Sequence, residues 1–187
     1  PYGNTQPPFS PGELALGAQA RFFARVGGGS PKEMGQIFIE AQQFKGTSLI
    51  EILQNCVIFN DGCFNHLTDK DVKEDKQIYL EHGKPMIFGK NRDKGLLLKG
   101  LKLEVVTIGE NGVTQEDLLV HNAKEKDPTL HFMLVRMEYP LATGVIRSFD
   151  DVTLEEREDA LTAQVKANSS FTKTDDLFFS GETYEVK

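Results

Sequence analysis

A chain of 187 residues with 39% hydrophobic content can bury one core and carry an appended arm. Its 28 carboxylates against 21 Lys and Arg give a net charge of −7; residues 148–187 hold ten of those carboxylates and four cations, a local −6. That balance leaves no basic footprint for nucleic acid and reads as a solvated acidic helix and tail. No run approaches the ~18 consecutive apolar residues of a membrane helix, and no basic stretch leads into an apolar one at the N-terminus. Two cysteines, Cys56 and Cys63, are too few for a disulfide framework, so a reducing, cytoplasmic setting is expected.

The segment Ala20-Arg21-Phe22-Phe23-Ala24-Arg25-Val26 reads as a strand ended by Gly27-Gly28-Gly29. A helix start follows: Ser30 is placed to cap, Pro31 takes the first helical position, and Glu33 sits where it can reach back to the cap. Met34, Ile37, Phe38 and Ala41 recur at the spacing of one apolar helix face. Leu49-Ile50-Glu51-Ile52-Leu53 is nearly continuous apolar, the pattern of a strand covered on both faces. Strand, helix and strand make a βαβ unit whose two strands are parallel neighbours. Gly27-Gly28-Gly29-Ser30 lacks the spacing of the known phosphate loops, and no Lys follows as a phosphate ligand, so it is read as a strand-to-helix turn.

Past Asn60 the texture changes. Asp61-Gly62 marks a turn, and residues 68–76 form a charged, weakly structured connection. Short β-type runs follow at Ile78-Tyr79-Leu80, Met86-Ile87-Phe88, Leu96-Leu97-Leu98 and residues 101–108. Asp127 as cap and Pro128 at the first position predict a helix through Met137, with a strand over residues 132–137 as the alternative. Gly144-Val145-Ile146-Arg147 reads as a short strand, and Thr153-Leu154-Glu155-Glu156 as a capping box opening a helix to about Ala167. The expected division is 1–66 as part of an α/β domain, 67–150 as an arm of short strands and a helix, and 151–187 as an acidic helix and tail.

The run Leu53-Gln54-Asn55-Cys56-Val57-Ile58-Phe59-Asn60 places a thiol just beyond a strand, where open α/β sheets bind ligands. Cys56 is thereby a candidate metal or cluster ligand, with an inert buried thiol as the plain alternative. Asn60 is a candidate for shaping the loop. Cys56, Cys63 and His66 together lack the paired spacing of a zinc site and an evident fourth ligand. His82, His121 and His131 are scattered, and composition and spacing stop at an α/β domain.

Several consecutive segments resemble one family. Pro1-Tyr2-Gly3-Asn4, Ala15-Leu16-Gly17-Ala18, Phe22-Phe23-Ala24-Arg25, Glu40-Ala41, Lys45-Gly46 and the run around Cys56 occur in the order found in the β subunit of 2-oxoacid:ferredoxin oxidoreductases, especially the 2-oxoglutarate type. Glu81-His82-Gly83-Lys84-Pro85, Gly89-Lys90 and Pro140-Leu141-Ala142-Thr143-Gly144-Val145 resemble that subunit's C-terminal arm. The resemblance implies part of the doubly wound parallel sheet of a thiamine-diphosphate-binding fold. It also implies a cofactor set of thiamine diphosphate, Mg²⁺ and a [4Fe-4S] cluster.

The implied activity is oxidative decarboxylation of a 2-oxoacid with coenzyme A, the electrons passing to ferredoxin, in complex with an α subunit. By resemblance Cys56 is the fourth cluster ligand, Cys63 matches no ligand position, and Tyr2, Gly3 and Asn4 lie toward the cofactor side. The family's other three cluster cysteines and its Gly-Asp-Gly motif lie upstream of the Pro-Tyr-Gly-Asn segment. The chain is therefore expected to be a C-terminal portion, inactive alone, whose uncovered sheet edge favours self-association.

Overall fold

The computed structural model of the chain describes residues 5–182 and 184–186; Tyr2, Gly3 and Asn4 lie outside them. The chain divides into two compact units, Pro1–Asp150 and Asp151–Lys187. In the first, the elements run α1 (Pro11–Gly17), β1 (Phe22–Gly27), α2 (Pro31–Gln43), β2 (Ser48–Leu53), α3 (Asn65–Thr68), α4 (Lys73–Lys76), β3 (Gln77–Leu80), β4 (Ile87–Phe88), β5 (Lys94–Lys99), β6 (Lys102–Thr107), α5 (Thr129–Arg136) and β7 (Leu141–Ser148). The second holds α6 (Leu154–Asn168) and α7 (Thr174–Phe178).

The architecture is mixed α/β. One sheet has the strand order β2-β1-β7-β3 and the other β4-β5-β6. β1 and β2 are parallel, as the βαβ reading requires, with Phe22 opposite Ser48 and Gly27 opposite Leu53. β7 enters antiparallel to β1 and parallel to β3.

Strand alternation decides what each face of β1 meets. Phe22, Ala24 and Val26 join Ile37 and Val145 in a core under α2, with Met34, Ala41, Phe44 and Ile50 packed around it. Phe23 points the other way, into a larger core with Leu16 of α1, Leu134 and Val135 of α5, Ile78, Leu80, and Met86, Phe88 and Leu96 of the second sheet. β1 is thus sandwiched and fully buried. At about 25 cal/mol per Å² of apolar surface, each such Phe contributes roughly 2–3 kcal/mol.

Gly144 is fixed by geometry. Its φ is +91°, and a Cβ there would sit 2.5 Å from the Leu80 carbonyl oxygen, so only glycine lets β7 lie against β3.

Several expectations change on folding. β2 is an edge strand, so Leu49 and Ile52 remain exposed rather than covered on both faces. Ser30 does not cap α2; its hydroxyl accepts a hydrogen bond from Lys73 Nζ at 2.7 Å, and Glu33 pairs with the same ammonium at 2.8 Å. A full charge across the turn outcompetes a neutral cap. Phe38 is exposed although Ile37 beside it is fully buried, because the helix presents Ile37 to the sheet.

Residues 65–76 contain the single-turn helices α3 and α4 in place of an irregular connection. The helix reading of residues 129–136 prevails over the strand, with Asp127 Oδ1 accepting from the Thr129 amide at 2.8 Å. β7 runs eight residues, four more than the sequence pattern suggests, because β1 and β3 flank it on both sides.

In the second unit the Thr153–Glu156 capping box forms, and α6 is exposed along its length. Among the described residues no helix is long and apolar enough to cross a membrane.

Candidate functional site

Because β1 and β2 are parallel, their carboxyl ends share one rim of the sheet. Gly28 donates its amide to the Leu53 carbonyl at 2.9 Å, which joins the glycine turn to the start of the Cys56 loop. A Cβ on Gly28 would meet that carbonyl at 3.3 Å, so the approach depends on a residue without a side chain. Below the rim, Arg25 and Glu51 face each other in register, Nε to Oε2 at 2.7 Å, largely out of solvent. This pair clamps the two strands on which the loop stands.

The loop closes on itself. Asn55 Nδ2 donates to Asp61 Oδ1 at 2.7 Å, while Asn55 Oδ1 accepts from the Gly62 amide at 2.8 Å. Inside that clamp the Asn60 amide donates to the Cys56 carbonyl at 2.9 Å, and the two residues form an isolated antiparallel bridge. The contribution of Asn60 to the loop is a main-chain one, which any residue but proline would supply. The amide of Phe59, then that of Ile58, and more weakly that of Asn60, donate toward the Cys56 sulfur and hold its thiol below the usual range; partial burial opposes them. N–H groups facing a sulfur favour its thiolate, the form that binds metal.

Cys56 is exposed, so the reading of an inert buried thiol gives way. Its neighbours Val57, Ile58 and Phe59 are 73, 82 and 89% exposed, an apolar lip around the sulfur. Cys63 is half-buried; its amide reaches the Asn60 carbonyl at 3.4 Å. Among the described residues no three His, Cys, Asp or Glu side chains group to hold a metal ion, so Cys56, Cys63 and His66 do not assemble as a zinc site.

His121 and His131 are buried and structural: His121 Nε2 meets the Val145 carbonyl, and His131 Nδ1 accepts from Arg147. His66 and His82 are exposed. Asn55 is the residue the pattern reading passed over. Its only signal was an Asn six residues ahead of the Asp61-Gly62 turn.

No family model matches the chain. It is 35% identical over 168 residues to the 2-oxoglutarate oxidoreductase subunit KorB of Mycobacterium tuberculosis, covering 89% of this chain and 44% of that protein. In fold it is similar to the 2-oxoglutarate:ferredoxin oxidoreductase from Magnetococcus marinus, solved with 2-oxoglutarate, coenzyme A and succinyl-CoA bound. The TM-score is 0.60 at 16% identity, over 97% of this chain and 48% of that one. The chain thus spans less than half the length of the relatives it matches. Over most of its length the chain is therefore similar in sequence to the 2-oxoglutarate oxidoreductase subunit KorB, in agreement with the resemblance carried by the run around Cys56.

Proposed function

We propose that the chain is the C-terminal portion of the β subunit of a 2-oxoglutarate-type 2-oxoacid:ferredoxin oxidoreductase, and that Cys56 is one of four thiolate ligands of a [4Fe-4S] cluster. The observation that carries this reading is the Cys56 loop. An exposed sulfur, faced by main-chain amides and pinned by Asn55, stands at the carboxyl rim of parallel strands.

The residues present fit one corner of such a cluster. The amides of Phe59 and Ile58 stabilise negative charge on the sulfur, and hydrogen bonds of this kind tune a cluster's potential. Val57, Ile58 and Phe59, exposed in this chain, would limit water around the sulfur once a cluster and its other ligands packed against them. When bound, the cluster would relay single electrons toward ferredoxin. Two cysteines cannot supply four thiolates, so the remaining ligands must come from outside this chain.

The sequence has no Gly-Asp-Gly motif, so thiamine diphosphate and Mg²⁺ do not fit residues of this chain. Decarboxylation of the 2-oxoacid and acyl transfer to coenzyme A are therefore proposed only for the whole subunit with its α partner, in the cytoplasm, and not for these residues alone. The exposed Leu49 and Ile52 on edge strand β2 would be covered in the whole subunit; in isolation they favour self-association.

The test is iron and thiamine diphosphate content of the full-length subunit co-expressed with its α partner, with and without Cys56→Ser. About four irons per β subunit, lost or converted to a three-iron species in the variant, is the expected result. Unchanged iron in Cys56→Ser would remove Cys56 from the ligand set. An iron-free complex would leave the exposed apolar lip as a protein-docking surface on a non-catalytic domain.

A further inference from the structure

A second site stands apart from Cys56. A cleft of about 740 Å³ opens between the start of α2, strand β3 and the turn after β4. A chamber of about 210 Å³ adjoins it and shares Glu33, Glu74, Gln77 and Tyr79. Its other walls are Lys73 and the buried Thr143.

The charges here fall into two classes. Glu33 is already paired with Lys73 at 2.8 Å, and Asp75 nearby with Lys94 at 2.9 Å. Lys32, Lys90 and Arg92 line the same cleft without an ion-pair partner among the described residues, as do Glu74 and Glu81. Three free cations and two free carboxylates leave the cleft at +1.

Gln77 forms part of the wall shared by cleft and chamber. Its side-chain Nε2 donates to the Leu67 carbonyl at 2.7 Å, which fixes the amide and leaves Oε1 as a buried acceptor with no partner. A buried acceptor left unpaired is destabilising. Tyr79 feels the same acidic wall: burial first, then Glu33, Glu40 and Glu81, push its hydroxyl above the usual range and keep it a donor.

The rim carries its own strain. Arg92 sits at φ +53°, the left-handed region that disfavours a side chain, with its amide on the Gly89 carbonyl at 2.9 Å. Glycine would relieve that strain. An arginine there supplies a cation at the mouth of the cleft instead.

We propose that this cleft binds a small α-amino dicarboxylate, with its two carboxylates on Lys32, Lys90 and Arg92 and its ammonium toward Glu74 and Glu81. The ligand's net charge of −1 complements the +1 of the free groups. The cleft that carries these groups, at about 740 Å³, lies within the roughly 300–1,000 Å³ of small-molecule sites. The site makes no use of Cys56, so it stands or falls independently of the cluster reading.

The test is calorimetric titration of the full chain with L-glutamate, and with glutarate, which has the same two carboxylates and no ammonium. L-Glutamate binds in the millimolar range or tighter, and glutarate at least about tenfold weaker. Arg92→Gly weakens L-glutamate about tenfold or more while its thermal midpoint stays at or above wild type, since the substitution relieves the left-handed backbone. Glu81→Gln weakens L-glutamate and leaves glutarate unchanged or improved. Absence of L-glutamate binding, equal affinity for glutarate, or an Arg92→Gly variant that binds as wild type does would each overturn the proposal.

Discussion

Acidification should destabilise the first unit through one buried ring. His121 Nε2 lies 2.9 Å from the Val145 carbonyl, which can only accept, so Nε2 carries the proton. Nδ1 is buried without a partner, and the ring is neutral. A second proton would place a charge inside the core. Burial, followed by repulsion from His131 and His82, lowers the His121 pKa to about 4, against the pull of the Val145 carbonyl.

Between that value and the ordinary ~6.5 of an unfolded histidine, the unfolded chain binds more protons than the folded one. The stabilisation is therefore complete above pH ~6.5 and is lost as pH falls toward ~4. A difference of about 2.5 units at 1.36 kcal/mol each is worth about 3 kcal/mol, of which about 2.5 is already gone near pH 4.5.

His131 acts in the same direction. It is also lowered by burial, and its Nδ1 accepts from Arg147 at 2.9 Å, a bond its protonation would abolish. Urea unfolding of wild type and His121→Phe at several pH values between 7 and 4.5 measures the effect. The variant loses the Val145 hydrogen bond at every pH but should show a slope shallower by about 2.5 kcal/mol over that range. Parallel pH dependences in the two proteins would refute the argument.

Two further outcomes test the clamp beneath Cys56 and the loop that carries it. Glu51→Leu strands the buried Arg25 guanidinium and should cost about 3–5 kcal/mol in chemical denaturation, with most of that recovered in Arg25→Met/Glu51→Leu; a double variant no better than the single would show that the pair is not the cause. Asn55→Ala removes both side-chain bonds that close the loop, so the Cys56 thiol should move back toward its ordinary pKa. Iodoacetamide alkylation followed against pH reads this directly, and an unshifted profile would mean that the amides hold the sulfur without the Asn55 clamp.

Local sequence determined the elements wherever a period or a cap was enough. Strand β1 with its glycine stop, the α2 stripe, the Thr153–Glu156 capping box and the placement of Cys56 past a strand were all legible, because each depends on residues within one or two turns of chain. The resemblance to the oxidoreductase β subunits was legible for the same reason, since it rests on short contiguous runs such as Leu53-Gln54-Asn55-Cys56-Val57.

Tertiary structure decided whatever depends on a distant partner. The exposure of β2 follows from which strand has a neighbour, and the apolar composition of Leu49 and Ile52 carries no sign of that. Ser30 lost its capping role to Lys73, 43 residues away. The insertion of β7 between β1 and β3, permitted by Gly144, and the cleft joining Lys32 to Arg92 arise only when remote segments meet. The amides around the Cys56 sulfur are local in sequence, yet they meet the thiol only in the folded loop that Asn55 closes onto Asp61 and Gly62.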